Sequence, residues 1–200
     1  MATNRRRKHG SRSEQGMVDE ASRESFPASD APAFAGGAER GGGGAVPDYR
    51  VRKELRPRGL EGIGEEQIAQ HWKLYEGYVE NVNTLNETLA GLAAARDFGP
   101  EFSELKRRLG FEYDGMILHE HYFGILKARQ KAPGEDSAFA KALKPSFRRF
   151  DAWKEEFSAM GAIRGVGWVI LYLDPQSGRL SNHWIGMHEV GHPAGFAPVL

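Results

Sequence analysis

The sequence predicts an α+β protein: a long α-helical hairpin, then an α/β domain with a small antiparallel sheet that is incomplete at the C-terminus, all preceded by a disordered tail. Three observations predict it. Apolar residues recur at helical spacing over two long stretches between Glu65 and Lys127. After residue 131 the period changes, and two β-favouring runs flank a turn. No leucine or isoleucine precedes Leu55, and residues 1–49 hold eight glycines and three prolines. The expected divisions are therefore 1–49, 50–130 and 131–200.

Taken in order, the tail has too little apolar surface to offset its ordering entropy. Its basic cluster Arg5-Arg6-Arg7-Lys8 is followed by Glu14, Asp19, Glu20 and Glu24, and reads as a solvated tail. From Glu65 to Arg96, Ile68, Trp72, Tyr75, Val79, Val82 and Leu89 form one continuous helix face, stopped at Asp97-Phe98-Gly99-Pro100. A second helical region spans about Phe102 to Lys127, with a break or bend expected near Gly110. The short loop between the two implies an antiparallel pair. Pro133-Gly134 marks a connector. Helical stretches near Phe139–Leu143 and Phe147–Ala162 then lead into Trp168–Leu173 and Leu180–Met187, two extended segments joined by the turn Asp174 to Gly178.

Composition narrows the function. The formal charge is zero, which argues against a dedicated nucleic-acid binder. No apolar run is long enough for a membrane span, and no signal peptide is recognisable, so a cytoplasmic protein is expected. Cysteine is absent, leaving His, Asp and Glu as the metal donors.

Two patterns could hold a metal. "HEVGH", His188 to His192, spells the zinc-hydrolase motif HExxH, which needs a helix to bring both imidazoles to one ion. Here it follows the outgoing strand of a hairpin. Pro193 biases His192 away from helical backbone, and Pro198 stands where the extended motif has its third histidine. A loop is expected, with a zinc metalloprotease as the lesser alternative. The second pattern is helical. His71, Tyr75 and Tyr78 share one side of the first helix, and His119 faces the apolar side of the second, with His121 turned about 200° away. One inward histidine from each of two packed helices forms half of a metal site, although either alone also reads as a satisfied core histidine.

The blocks "HWKLYEGYVENVN", "FEYDGMILHEHYFGIL" and "FDAWKEEFSAMGAIRGVGW", with the strand pair that follows, resemble the iron/manganese superoxide dismutase family in order over Val51 to Leu200. The resemblance implies a helical hairpin followed by an α/β domain on a three-stranded antiparallel sheet, with a manganese or iron ion between them. It also implies superoxide as substrate and assembly as a homodimer or tetramer. His71 and His119 match metal ligands. Tyr78 matches the tyrosine of the substrate gateway, at a spacing one residue shorter than is common, a difference a π-bulge can absorb. Tyr75 stands where a histidine is common, Phe123 replaces an active-site tryptophan, Trp168 keeps another, and Ile170 replaces a third aromatic. Gly115 stands where iron enzymes carry a glutamine. His188 stands where manganese enzymes carry theirs, which makes it a hydrogen-bond donor to metal-bound solvent. Tyr78 and His188 are then the candidates for proton relay. Two further ligands, in an Asp-x-Trp-Glu-His segment, are implied beyond "PAGFAPVL", where this sequence stops. The expectation is a truncated dismutase of little or no activity; the alternative is a degenerate relative acting as an interaction module.

Overall fold

The computed structural model describes residues 46–200, so the expected disordered tail lies outside the described residues except at its last four positions. Those four are irregular, but Tyr49 is already pinned: its N–H donates to Asn83 Oδ1 and its carbonyl accepts from Asn83 Nδ2, both at 2.8 Å. A short 3-10 turn, Lys53–Leu55, follows.

Helix α1 runs Glu65–Ala94 and α2 runs Pro100–Ile125. Glu65 and Glu66 sit in the first turn of α1, where acidic side chains suit the helix dipole, and Gln67 accepts the orphan Gly64 N–H at 2.9 Å. Pro100 opens α2 at a position where its missing N–H costs nothing. The expected break near Gly110 is absent, and α2 is continuous. Gly110 is exposed and lowers helix propensity by about 1 kcal/mol, which a long helix packed on both sides of it absorbs. The helices pack through Trp72, Tyr75, Val79, Val82, Met116 and Phe123, all buried. Each such aliphatic side chain contributes about 1.5–3 kcal/mol.

Helix α3 (Ala138–Phe147) starts where Ser137 Oγ accepts the Ala140 N–H at 3.1 Å. It ends at Arg148, whose φ of +65° takes the chain out of the helix. Helix α4 is Phe150–Gly161. The sheet comprises β1 (Gly167–Leu173), β2 (Leu180–Gly186) and a two-residue β3 (Ala197–Pro198), antiparallel in the order β2-β1-β3. Its register faces Trp168 with Ile185, Ile170 with His183 and Tyr172 with Ser181. That face packs on α2 through Leu118, Ile170, Tyr172 and Ile185; the other packs on α3 and α4 through Leu143, Trp153, Leu171 and Leu180. No described helix is long and apolar enough to cross a membrane.

Candidate metal centre

The helical layer supplies two imidazoles. His119 leaves α2 toward α1 and is only 2% exposed; His71 on α1 is half-buried. Their ring centroids lie 4.8 Å apart at an interplanar angle of 79°. With metal–nitrogen bonds of about 2.1 Å, two imidazoles on one ion have centroids roughly 4.5–5.5 Å apart, so these rings can share an ion. His119 Nδ1 is 2.6 Å from the Gly115 carbonyl, one turn back. A carbonyl only accepts, so Nδ1 carries the proton and the lone pair sits on Nε2, as in a histidine prepared for a metal. Burial pushes the His119 pKa down to about 4 and lowers that of His71 as well, so both rings are neutral at neutral pH.

Against these stand groups from α1 and from the segment after β2. Trp168 Nε1–H donates to His188 Nδ1 at 2.9 Å. In a neutral ring the proton is then on Nε2, which donates to Tyr78 Oη at 2.7 Å. His188 is kept neutral by burial, and burial, followed by the Glu112 charge, raises the Tyr78 pKa. Because Tyr78 oxygen accepts from His188, its own O–H is free to point into the cavity. That cavity, about 680 Å³, is lined by His71, Tyr78, His119, Tyr122, Trp168 and His188 among others. Buried Phe123 stands 5.2 Å from the His71 ring and Trp168 5.0 Å from that of His119, centroid to centroid, which makes the wall around the imidazoles apolar.

Residues 135–200 match the family model described as iron/manganese superoxide dismutases, C-terminal domain. An iron superoxide dismutase of Aquifex aeolicus is 38% identical over 162 residues, 78% of this chain and 75% of that protein. The chain belongs to the iron/manganese superoxide dismutase family. An iron enzyme of Aquifex pyrophilus is 37% identical over 156 residues, 74% of this chain and 72% of that one. A manganese enzyme of Haloferax volcanii is 30% identical over 139 residues, 69% and 68%. The family's metals, iron and manganese, accord with the imidazole pair. The donor set fits such an ion in part: His71 and His119 are neutral, adjacent and correctly protonated, while no group of three or more metal-donor side chains occurs among the described residues.

Six of the seven residues singled out from the sequence, His71, Tyr78, His119, Phe123, Trp168 and His188, converge here. Neither Phe123 nor Tyr75 lines the cavity, but Phe123 touches the His71 ring whereas Tyr75 serves other partners. Tyr75 is fully buried, accepts the Arg52 backbone N–H at 3.0 Å and donates to the Glu120 carboxylate at 2.9 Å, with its pKa raised to about 12, mainly by burial. It ties the segment before α1 to both helices. His121 is exposed. His188 to His192 is turn and bridge, not helix, and its two histidines serve different partners, so the zinc-hydrolase arrangement is absent. Tyr122, whose ring is 4.9 Å from that of His71, carries no sequence signal beyond the spacing of an inward helical residue.

Proposed function

We propose that the protein disproportionates superoxide to oxygen and hydrogen peroxide, with an iron or manganese ion held by His71 and His119. The observation that carries the reading is the pair itself: two neutral rings 4.8 Å apart, one fixed in its tautomer by the Gly115 carbonyl. Such an ion supplies alternating one-electron oxidation and reduction, taking one superoxide to oxygen and the next, with two protons, to hydrogen peroxide.

The side chains do the rest. Trp168 keeps its part of the cavity wall apolar, and buried Phe123 packs against the His71 ring behind that wall. The Tyr78 O–H faces the cavity and delivers a proton to a bound anion. His188 Nε2–H, 2.7 Å from the same oxygen, stabilises the phenolate left behind, which takes its proton back from solvent, while the bond from Trp168 holds the His188 proton on Nε2. The chain is read as cytoplasmic and as a homodimer or tetramer, which sedimentation of the metal-loaded protein checks. Two imidazoles bring no negative charge, so these residues by themselves hold a divalent ion better than a trivalent one.

The test is a manganese(II) titration followed by NMR, with superoxide decay measured on the same sample. Paramagnetic broadening is expected first at the rings of His71 and His119. Because two imidazoles alone favour the divalent state, only slow superoxide decay above that of the metal-free protein is expected, and it is lost in His119→Ala. Broadening that begins elsewhere, or decay unaffected by His119→Ala, refutes the reading.

A further inference from the structure

The second histidine of "HEVGH" has no part in the centre just described, yet both of its ring nitrogens are engaged. His192 Nε2 lies 2.7 Å from the His188 carbonyl oxygen, and His192 Nδ1 lies 2.6 Å from Tyr172 Oη. The carbonyl can only accept, so Nε2 carries the proton. In the neutral ring Nδ1 is then an acceptor, and the Tyr172 O–H donates to it. Tyr172 is itself fixed, 3% exposed, on the sheet face that packs against α2.

The loop has reason to need such a hold. Met187, just before His188, has φ of +56°, a left-handed backbone costing a non-glycine residue about 1–2 kcal/mol. Gly191 has φ of +114°, and a Cβ there would stand 2.5 Å from the Trp184 carbonyl, so only glycine fits. Gly186 and Val190 close a tight turn around Met187 to Glu189 through N–H···O bonds of 2.7 and 3.1 Å. The Met187 N–H donates to the Val166 carbonyl at 2.9 Å. The His188 backbone thus sits at the tip of a strained turn, with its carbonyl held from His192.

We infer that His192, oriented by Tyr172, is a positioning residue: it clamps the backbone of His188 and thereby aims the His188 ring at Tyr78 and Trp168. Strand β1 grips both ends of the loop from one face. Trp168 takes the His188 ring, and Tyr172, four residues on, takes the His192 ring that holds His188 in place. The inference rests on His188 being part of the centre, but its geometry needs no metal.

The test therefore uses the full chain without added metal. Hydrogen exchange of the Trp168 indole N–H, which is bonded to His188, is compared by NMR with that of Trp153, whose indole N–H donates to Asn182 at 3.0 Å on the other sheet face. Loss of one hydrogen bond predicts that His192→Ala speeds Trp168 exchange about tenfold relative to Trp153, with the His188 ring nitrogens shifting toward mixed tautomers. His192→Gln keeps an N–H for the carbonyl and an oxygen for Tyr172, and stays within about twofold of the parent ratio. Tyr172→Phe, which removes a single hydroxyl and keeps the packing, raises the ratio by roughly two- to fivefold and serves if His192→Ala does not fold. An unchanged ratio in His192→Ala or, failing that variant, in Tyr172→Phe overturns the inference. So does equal loosening of both indoles, or a Gln variant as loose as Ala. Failure here leaves the His71–His119 reading standing, and failure of the manganese titration leaves the clamp standing.

Discussion

Replacing Gly115 by alanine tests the packing on which the centre depends, because helix propensity and sterics pull in opposite directions. Gly115 lies inside α2, where alanine is intrinsically better by about 1 kcal/mol. The Cβ it would add stands 2.7 Å from both Tyr78 Cδ1 and Cε1, 0.7 Å inside the 3.4 Å at which contact becomes ordinary. The ring cannot give way freely, since its oxygen bonds His188 at 2.7 Å and its face lies against His119, centroids 5.1 Å apart. Overpacking of this kind costs about 1–3 kcal/mol, so Gly115→Ala is expected to destabilise by up to about 2 kcal/mol. In a Tyr78→Ala background the obstruction is gone, and the same substitution should stabilise by about 1 kcal/mol. Urea unfolding of the four proteins of this double-mutant cycle gives a coupling of about 1–3 kcal/mol. If Gly115→Ala is equally stabilising in both backgrounds, Tyr78 does not lie over the glycine and the description of the centre is wrong.

Three further outcomes are expected. The folded state keeps His119 neutral down to about pH 4 while the unfolded chain takes up the proton near its ordinary 6.5, so stability is complete above pH 6.5 and falls toward pH 4. The loss is about 3 kcal/mol, seen as the difference in pH dependence between the parent and His119→Gln; parallel curves for the two proteins would show that His119 is not buried neutral. Trp168→Phe keeps the apolar wall but removes the donor to His188 Nδ1, and should cost about 1 kcal/mol while a second His188 tautomer appears in nitrogen NMR spectra. Tyr75→Phe strips the Arg52 N–H and Glu120 of a buried partner at a cost of about 1–2 kcal/mol in urea unfolding, and leaves manganese broadening at His71 and His119 unchanged.

Much of the fold could be read in the sequence because the helices carry their burial in their spacing. Ile68, Trp72, Tyr75, Val79, Val82 and Leu89 are all buried, as their three-, four- and seven-residue intervals require. The hairpin was equally plain, since its β-favouring runs flank a turn-forming segment. Gly110 misled because a single glycine lowers helix propensity by only about 1 kcal/mol, and the packing of α2 against α1 on either side of it carries the helix through. The imidazole pair lay between these cases. Each histidine could be placed on an inward helix face, but only the family resemblance paired them. The bond between Tyr78 and His188 joins residues 110 positions apart, and no local pattern announces it. The Tyr172–His192 contact was further out of reach, since it depends on the left-handed backbone at Met187 and Gly191 as well as on strand register.

These placements explain why "HEVGH" can look like a hydrolase motif and act as something else. In a helix, residues four apart lie one above the other, so the two imidazoles would meet. Here the chain turns tightly between Gly186 and Val190, which separates the rings and sends each to a different aromatic residue of β1. Trp168 and Tyr172 can serve both because strand residues four apart point to the same face, spaced by about 13 Å. The histidine spacing is thus matched to a strand beneath the loop and not to a helix within it. The sheet that supplies this strand is held to α2 by Leu118 against Ile170, Tyr172 and Ile185. His119 is the next residue along α2 from Leu118, so the packing that docks the sheet also sets the distance from His188 to the imidazole pair.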